Sequence, residues 1–186
     1  MRLQLVSKPP ALEEDLREFL IACHGRIRSS LSSAAAAAKA AGGSVEADRL
    51  HVDAAREAGR FFRLALPLHA EDEDVSIAPR LRALGDAAVD DALDGMTRDH
   101  APIEELAQIV AGRCEAMAAT AQAPAELSSE VARLAALLEP HLDFEERVVF
   151  PVLGKLDDAV RRQIASEARE RRRLAYGGTY GAKERS

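Results

Sequence analysis

Apolar residues recur along this chain at steps of three and four, the spacing of one face of a helix. Leu12, Leu16, Leu20, His24, Ile27 and Leu31 share one such face from Ala11 onward, and the run ends at Gly42-Gly43, a C-terminal stop signal. Ala58, Phe62, Leu66, His69, Glu73 and Ile77 form a second face, with a helix start expected between Ser44 and Asp48 and an end at Pro79 and Gly85. Leu93, Met96, His100, Ile103, Ala107, Val110, Cys114 and Met117 form a third, ending near Ala123-Pro124. A fourth carries Val131, Leu134, Leu138, His141, Glu145 and Val148, with Ser128 or Ser129 as its cap and Gly154 as its break. A further short helix is expected from about Leu156 to Leu174. Four amphipathic helices on short connections predict an all-α, up-down-up-down antiparallel four-helix bundle with a short extra C-terminal helix. The expected division is a leader over 1–10, the bundle over 11–155, the last helix over 156–175 and a flexible tail over 176–186.

Composition narrows this reading. The chain has 186 residues, 47% of them hydrophobic and only 4% aromatic, which suits one helical domain. A formal net charge of −6 argues against nucleic acid as a partner. Arg161, Arg162, Arg169, Arg171, Arg172 and Arg173 alternate with Glu167 and Glu170, as on a solvated helix face. No apolar run is long enough for a membrane span, and MRLQLVSKPP is too short in apolar core for a secretory signal. Cys23 and Cys114 make no disulfide framework, so a cytoplasmic location with reduced thiols is the expectation.

The chemistry lies in the histidines. His24, His69, His100 and His141 fall one to each helix, each on the apolar stripe, while His51 reads as a surface or turn residue. A lone histidine in such a place is usually a satisfied core residue. Four in succession would each need a buried partner, since an unpaired buried polar group costs about 1–3 kcal/mol. Glu73 and Glu145 follow His69 and His141 by one turn and share their faces. A carboxylate in an apolar core is expensive unless paired or bound to metal. The phrase HAEDEDVSIAPRL, from His69, returns as HLDFEERVVFPVL, from His141, with His, Glu, Pro and Leu at matching positions. Imidazoles and carboxylates converging on metal ions in the bundle would satisfy all six residues, and the donor set suits iron, manganese or zinc. Pro67, Pro102 and Pro140 each stand within two residues of a candidate histidine; they read either as incidental kinks or as distortions that aim the imidazoles.

The order His24, His69-x-x-x-Glu73, His100, His141-x-x-x-Glu145 resembles the hemerythrin-like family, the HHE cation-binding domain, over nearly all of the chain from Ala11 to about Leu153. The resemblance implies a di-iron centre in which Glu73 and Glu145 bridge two iron ions. It implies His24 and His69 on one iron and His100 and His141 on the other. The oxygen carriers of that family have a His-x-x-x-His pair on the third helix, whereas this chain reads HAPIE from His100 to Glu104. Glu104 is then either an extra metal ligand or a solvated acid beside an open metal position. This departure favours reaction with oxygen, peroxide or nitric oxide over reversible oxygen carriage.

The functional expectation is a non-haem metal protein that binds or senses a small diatomic or peroxide ligand. The alternatives are a di-iron enzyme with peroxidase-like or oxygen-reducing activity, a storage or structural metal site holding zinc or manganese, and a metal-free bundle. The charged last helix and tail offer a surface for a protein partner or a homo-oligomer.

Overall fold

The protein is described from a computed structural model covering residues 15–39 and 45–180. The expected leader, Leu12, the Gly42-Gly43 stop and the last six residues of the tail lie outside the described residues. Helix α1 spans Leu16–Lys39. Helix α2 covers 45–82 and is continuous but irregular, with π-helical turns at Phe61–Ala65 and Asp72–Ile77. Helix α3 is Ala87–Thr120, α4 covers 127–155, and α5 is Asp158–Tyr180. Among the described residues there is no strand.

The helix ends have local causes. Gly85 takes φ 70°, a left-handed turn that glycine adopts without strain, and the Asp86 carboxylate accepts from the Ala88 N–H at 3.1 Å to start α3. Ala121 closes α3 at φ 56°. Helix α4 starts at Leu127, before either expected serine cap, and has no side-chain cap. Helix α5 continues to Tyr180, so residues 176–180, expected in the tail, are helical.

Around the axis α1 packs on α2, α2 on α3, α3 on α4, and α4 back on α1. The core has two apolar layers. One holds Ile27, Leu31, Phe62, Leu66, Ile103, Val110, Leu134 and Leu138. The other holds Phe19, Leu20, Ile77, Leu81, Leu93, Met96, Val149 and Phe150, and α5 adds Ile164, Ala165 and Ala168 to it. Along α1 and α3 the second layer comes first in sequence; along α2 and α4 it comes last. The candidate histidines and glutamates lie between the layers on all four helices.

A helical distortion accompanies one of the three prolines beside the histidines, Pro67, and not the other two. Pro102 and Pro140 sit inside regular α-helix. The π-turns instead precede Pro67, Pro79 and Pro151, each ending two residues before the proline. In the last two cases the residue before the proline donates to the carbonyl of the glutamate five positions back, Ala78 N–H to Glu73 O and Phe150 N–H to Glu145 O. Proline has no N–H and crowds the preceding turn, and a π-turn accommodates it by adding one residue to the helical circuit. The repeated Glu-x5-Pro spacing is therefore the signature of a π-turn that begins at or beside the glutamate. The added residue also shifts the buried face. Val149 is buried and Val148 is 42% exposed, reversing the expectation from a regular helical period.

The arginines of α5 are only partly the solvated face expected of them. Arg171 and Arg172 turn inward to Asp72, and Arg161 donates to the Leu156 carbonyl at 2.7 Å, capping the end of α4. Arg173 pairs with Glu170 in solvent.

Close packing of α2 on α3 depends on Gly59. A Cβ there would stand 3.1 Å from Cys114 Cβ and 3.3 Å from the Ala111 carbonyl, neither of which can swing away. Gly59→Ala is expected to lose about 1–3 kcal/mol in urea denaturation through overpacking. Gly95→Ala, with nothing within 4 Å, is expected to gain roughly 0.5–1 kcal/mol from helix propensity.

Candidate metal centre

Two groups of side chains converge between the core layers. His24, His69, Glu73 and Glu145 each bring one donor atom within 4.8 Å of the others, and Glu73, His100, His141 and Glu145 do the same. All six residues are buried. The two glutamates belong to both groups, and their oxygens divide between them. Glu145 turns Oε2 to His24 Nε2 at 3.2 Å and Oε1 to His141 Nε2 at 2.9 Å. Glu73 turns Oε1 to His69 Nε2 at 3.4 Å and Oε2 to His100 Nε2 at 3.4 Å. The rings pair in the same way, His24 edge-on to His69 and His100 edge-on to His141, both at 5.0 Å. His51 belongs to neither group.

Proximity here is not hydrogen bonding. Nε2 of His24, His69 and His100 and both oxygens of Glu73 and Glu145 are buried without a hydrogen-bond partner. So many orphaned donors and acceptors in one layer are rare in a folded interior, where nearly all buried polar atoms are satisfied. A cation between each group would satisfy them together, and imidazole with carboxylate suits iron, manganese or zinc. The residues present therefore fit the metal site that the sequence implied.

Two histidines are oriented from behind. His24 Nδ1 lies 2.8 Å from Glu146 Oε1, and Arg28 Nη1 donates to that same oxygen at 2.7 Å. His100 Nδ1 lies 2.9 Å from Asp74 Oδ2, and the Thr97 hydroxyl donates to Asp74 Oδ1 at 2.8 Å. Such partners fix the ring and its tautomer, leaving Nε2 to face the metal. Glu146 and Asp74 are not among the residues that the helical spacing singles out. The signal was in the repeated phrase, where an acid directly follows each glutamate. Asp143 is a surface partner of Arg28, and Asp99 is exposed, 3.7 Å from His141 Nδ1. Asp72 is no surface acid: it is buried and held by Arg171 Nη1 at 2.7 Å and by Arg172.

Glu104 is half-buried and lies outside both converging groups. It lines a small cavity with His69, Glu73, His100, His141 and the apolar Ile27, Leu66, Ile103, Leu138 and Leu142. The cavity has about 10 Å³ of room for the centre of a water-sized molecule.

Burial and mutual charge set the protonation of the metal-free centre. Burial, then the neighbouring Glu145 charge, pushes Glu73 well above the usual carboxylate range. Burial acts upward on Glu145 too, but His100, His141 and His24 hold it well below that range. Burial pulls His100 down, yet Glu145, Glu73 and Asp74 raise it to about 11. Burial and the nearby His24 push His69 well down.

Fold and centre together define a class: an all-helical protein with a buried imidazole–carboxylate layer able to hold metal cations. The chain matches the family model described as the hemerythrin HHE cation binding domain over residues 15–153, and it belongs to that family. No curated protein and no solved structure matches it. Helix α5 lies beyond the matched residues. Among the described residues no helix is long and apolar enough to cross a membrane.

A histidine must shed its proton before it ligates, so metal uptake should acidify the solution. His100, titrating at about 11, is protonated near pH 8 in the metal-free protein. Adding a divalent cation to metal-free protein in weak buffer at that pH is expected to release about one proton or more per chain, read with an indicator dye. His100→Ala should reduce the release. Unchanged release in that variant would show that the proton comes from elsewhere.

Proposed function

We propose that His24, His69, Glu73, His100, His141 and Glu145 hold two iron ions, and that the centre binds or senses oxygen, nitric oxide or reactive oxygen species. Glu73 and Glu145 would be shared by the two ions, with His24 and His69 holding one and His100 and His141 the other. The observation that carries this reading is the division of each carboxylate, one oxygen toward each histidine pair. A single ion would leave one oxygen of each glutamate and one histidine pair without a partner.

When bound, the iron pair supplies redox chemistry toward small oxygen and nitrogen species. The chain's own residues do the rest. Glu146 and Asp74 hold the rings of His24 and His100 in line. Ile27, Leu66, Ile103, Leu138 and Leu142 wall the cavity, exclude bulk water and restrict entry to molecules of a few atoms. Glu104 stands in that wall beside His100 and His141, placed either to add a ligand on that side or to carry a proton to a bound molecule. The second role favours a further reading, turnover of peroxide by a di-iron enzyme. Zinc or manganese in the same ligands is the storage or structural alternative.

The same reading takes residues 11–155 as an up-down-up-down bundle, supported by the alternating order of the two core layers along successive helices. The helix after it is an addition to the family domain. A cytoplasmic setting accords with Cys23 and Cys114 as free, buried thiols.

Metal content with an optical spectrum tests the proposal, on protein purified without chelators from iron-supplied cells. About two irons per chain are expected, as in bundle carboxylate centres, with near-ultraviolet absorption that bleaches on reduction. His69→Ala and Glu145→Ala should each lower the iron content while the helical spectrum persists. Iron content unchanged by both substitutions, or no iron in the parent protein, sinks the reading. Zinc in place of iron would retain the site and discard the oxygen chemistry. Turnover of added peroxide would separate the enzyme from the sensor.

A further inference from the structure

The two sides of the centre share Glu73 and Glu145, so any difference between them comes from what stands behind the histidines. On the His24 side the nearby carboxylates are tied to guanidinium groups. Glu146 accepts from Arg28 Nη1 at 2.7 Å, and the same arginine holds Glu139 at 3.1 Å and Asp143 at 3.2 Å. Asp72, beside Glu73 in the chain, is held by Arg171 and Arg172. Arg26 and Arg172 also reach Cys23 Sγ, next to His24, at 2.9 and 3.9 Å. Nδ1 of His69 and Nδ1 of His141, one on each side, are both buried without a hydrogen-bond partner, so the sides differ in the charges around them.

On the His100 side the nearby carboxylates lack such partners among the described residues. Among the described residues Asp74, behind His100, has the Thr97 hydroxyl as its one other hydrogen-bond partner. Asp99 approaches His141 Nδ1 at 3.7 Å, and Glu104 lines the cavity beside both rings. Among the described residues, none of these three carboxylates is paired with a lysine or arginine. A carboxylate behind an imidazole makes it a more basic ligand. A guanidinium on that carboxylate draws the charge away, and it also repels a cation in a site of low dielectric.

We propose that the two cation positions are electrostatically unequal: the His100–His141 position fills first and holds a divalent cation more tightly, and Arg28 keeps the His24–His69 position the weaker of the two. This rests on the reading that the six residues hold two ions. The difference gives the centre one resident ion and one exchangeable ion, with Asp74 and Arg28 as positioning residues that act through His100 and His24.

The test is titration of the metal-free full chain with cobalt(II), followed by visible absorption and calorimetry. Two separate steps are expected. His24→Ala should keep the tight step and lose the weak one, and His100→Ala should do the reverse. Asp74→Asn should weaken the tight step about 10–100-fold, as loss of a ligand's outer partner does elsewhere. Arg28→Gln should strengthen the weak step and narrow the gap. Asp74 and Arg28 are both partly exposed, and thermal melts of their variants without metal show whether the fold is kept. Two equal steps in the parent protein, loss of the tight step in His24→Ala, or a weaker second step in Arg28→Gln would overturn the ranking. Absence of any cobalt binding would overturn the two-ion reading itself.

Discussion

Two carboxylates placed in the apolar centre of a helical bundle impose the constraint from which the rest of the structure follows. Glu73 and Glu145 are both fully buried. Neither can stay ionised there alone, because an uncompensated charge in an interior costs far more than one side chain's packing returns. Compensation has to come from several directions at once, and one histidine from each of the four helices stands around the two glutamates in a donor set that could hold cations among them. The polar layer therefore cuts the core in two, and each helix carries one apolar run on either side of it. These two hydrophobic layers hold the helices at the distance the polar layer needs. The close approach at Gly59 belongs to the same arrangement, on the side of the layer away from α5.

The backbone bends to the same requirement. A regular helix would carry the glutamate and the residues after it in one fixed phase. The π-turns at Asp72–Ile77 and Glu145–Val149 add a residue just where the chain leaves the polar layer. The apolar residues beyond re-enter the core one position later, which is why Val149 and not Val148 is buried. Proline at a fixed distance stabilises this shift, since it cannot take part in the regular hydrogen-bond ladder. The repetition of His-x-x-x-Glu-x5-Pro-x-Leu is thus a repetition of both chemistry and backbone geometry.

Helix α5 extends the same logic beyond the family domain. It covers the second apolar layer with Ile164, Ala165 and Ala168, and it brings Arg171 and Arg172 to Asp72. A buried aspartate directly before Glu73 would otherwise add a third uncompensated charge to the centre. Asp72 is paired in this way, and Glu146 shares Arg28 with Glu139 and Asp143, so each carboxylate nearest the His24 side has a guanidinium partner. Among the described residues Asp74, Asp99 and Glu104 on the His100 side have no such partner, so the surroundings of the two histidine pairs differ.

Helical class, the four apolar stripes and the inward placement of six histidines and glutamates on them were legible in the sequence because they depend on local spacing. A period of three to four residues fixes a face, and four histidines on four such faces converge on one shared centre. Glu146, Asp74, Arg28 and the turn of Arg171 and Arg172 toward Asp72 were not legible. Each of these contacts joins two different helices, and which polar neighbours meet depends on the rotation and depth of helix packing rather than on spacing along one chain. The change from Val148 to Val149 escaped for a related reason: a regular period cannot foresee the extra residue that a proline further along forces into the turn. The chain's own periodicity thus determined which residues face inward. Only the packed structure decided which of them touch, how each carboxylate divides its oxygens, and where the neutralising arginines fall, because those outcomes are set between helices and not along them.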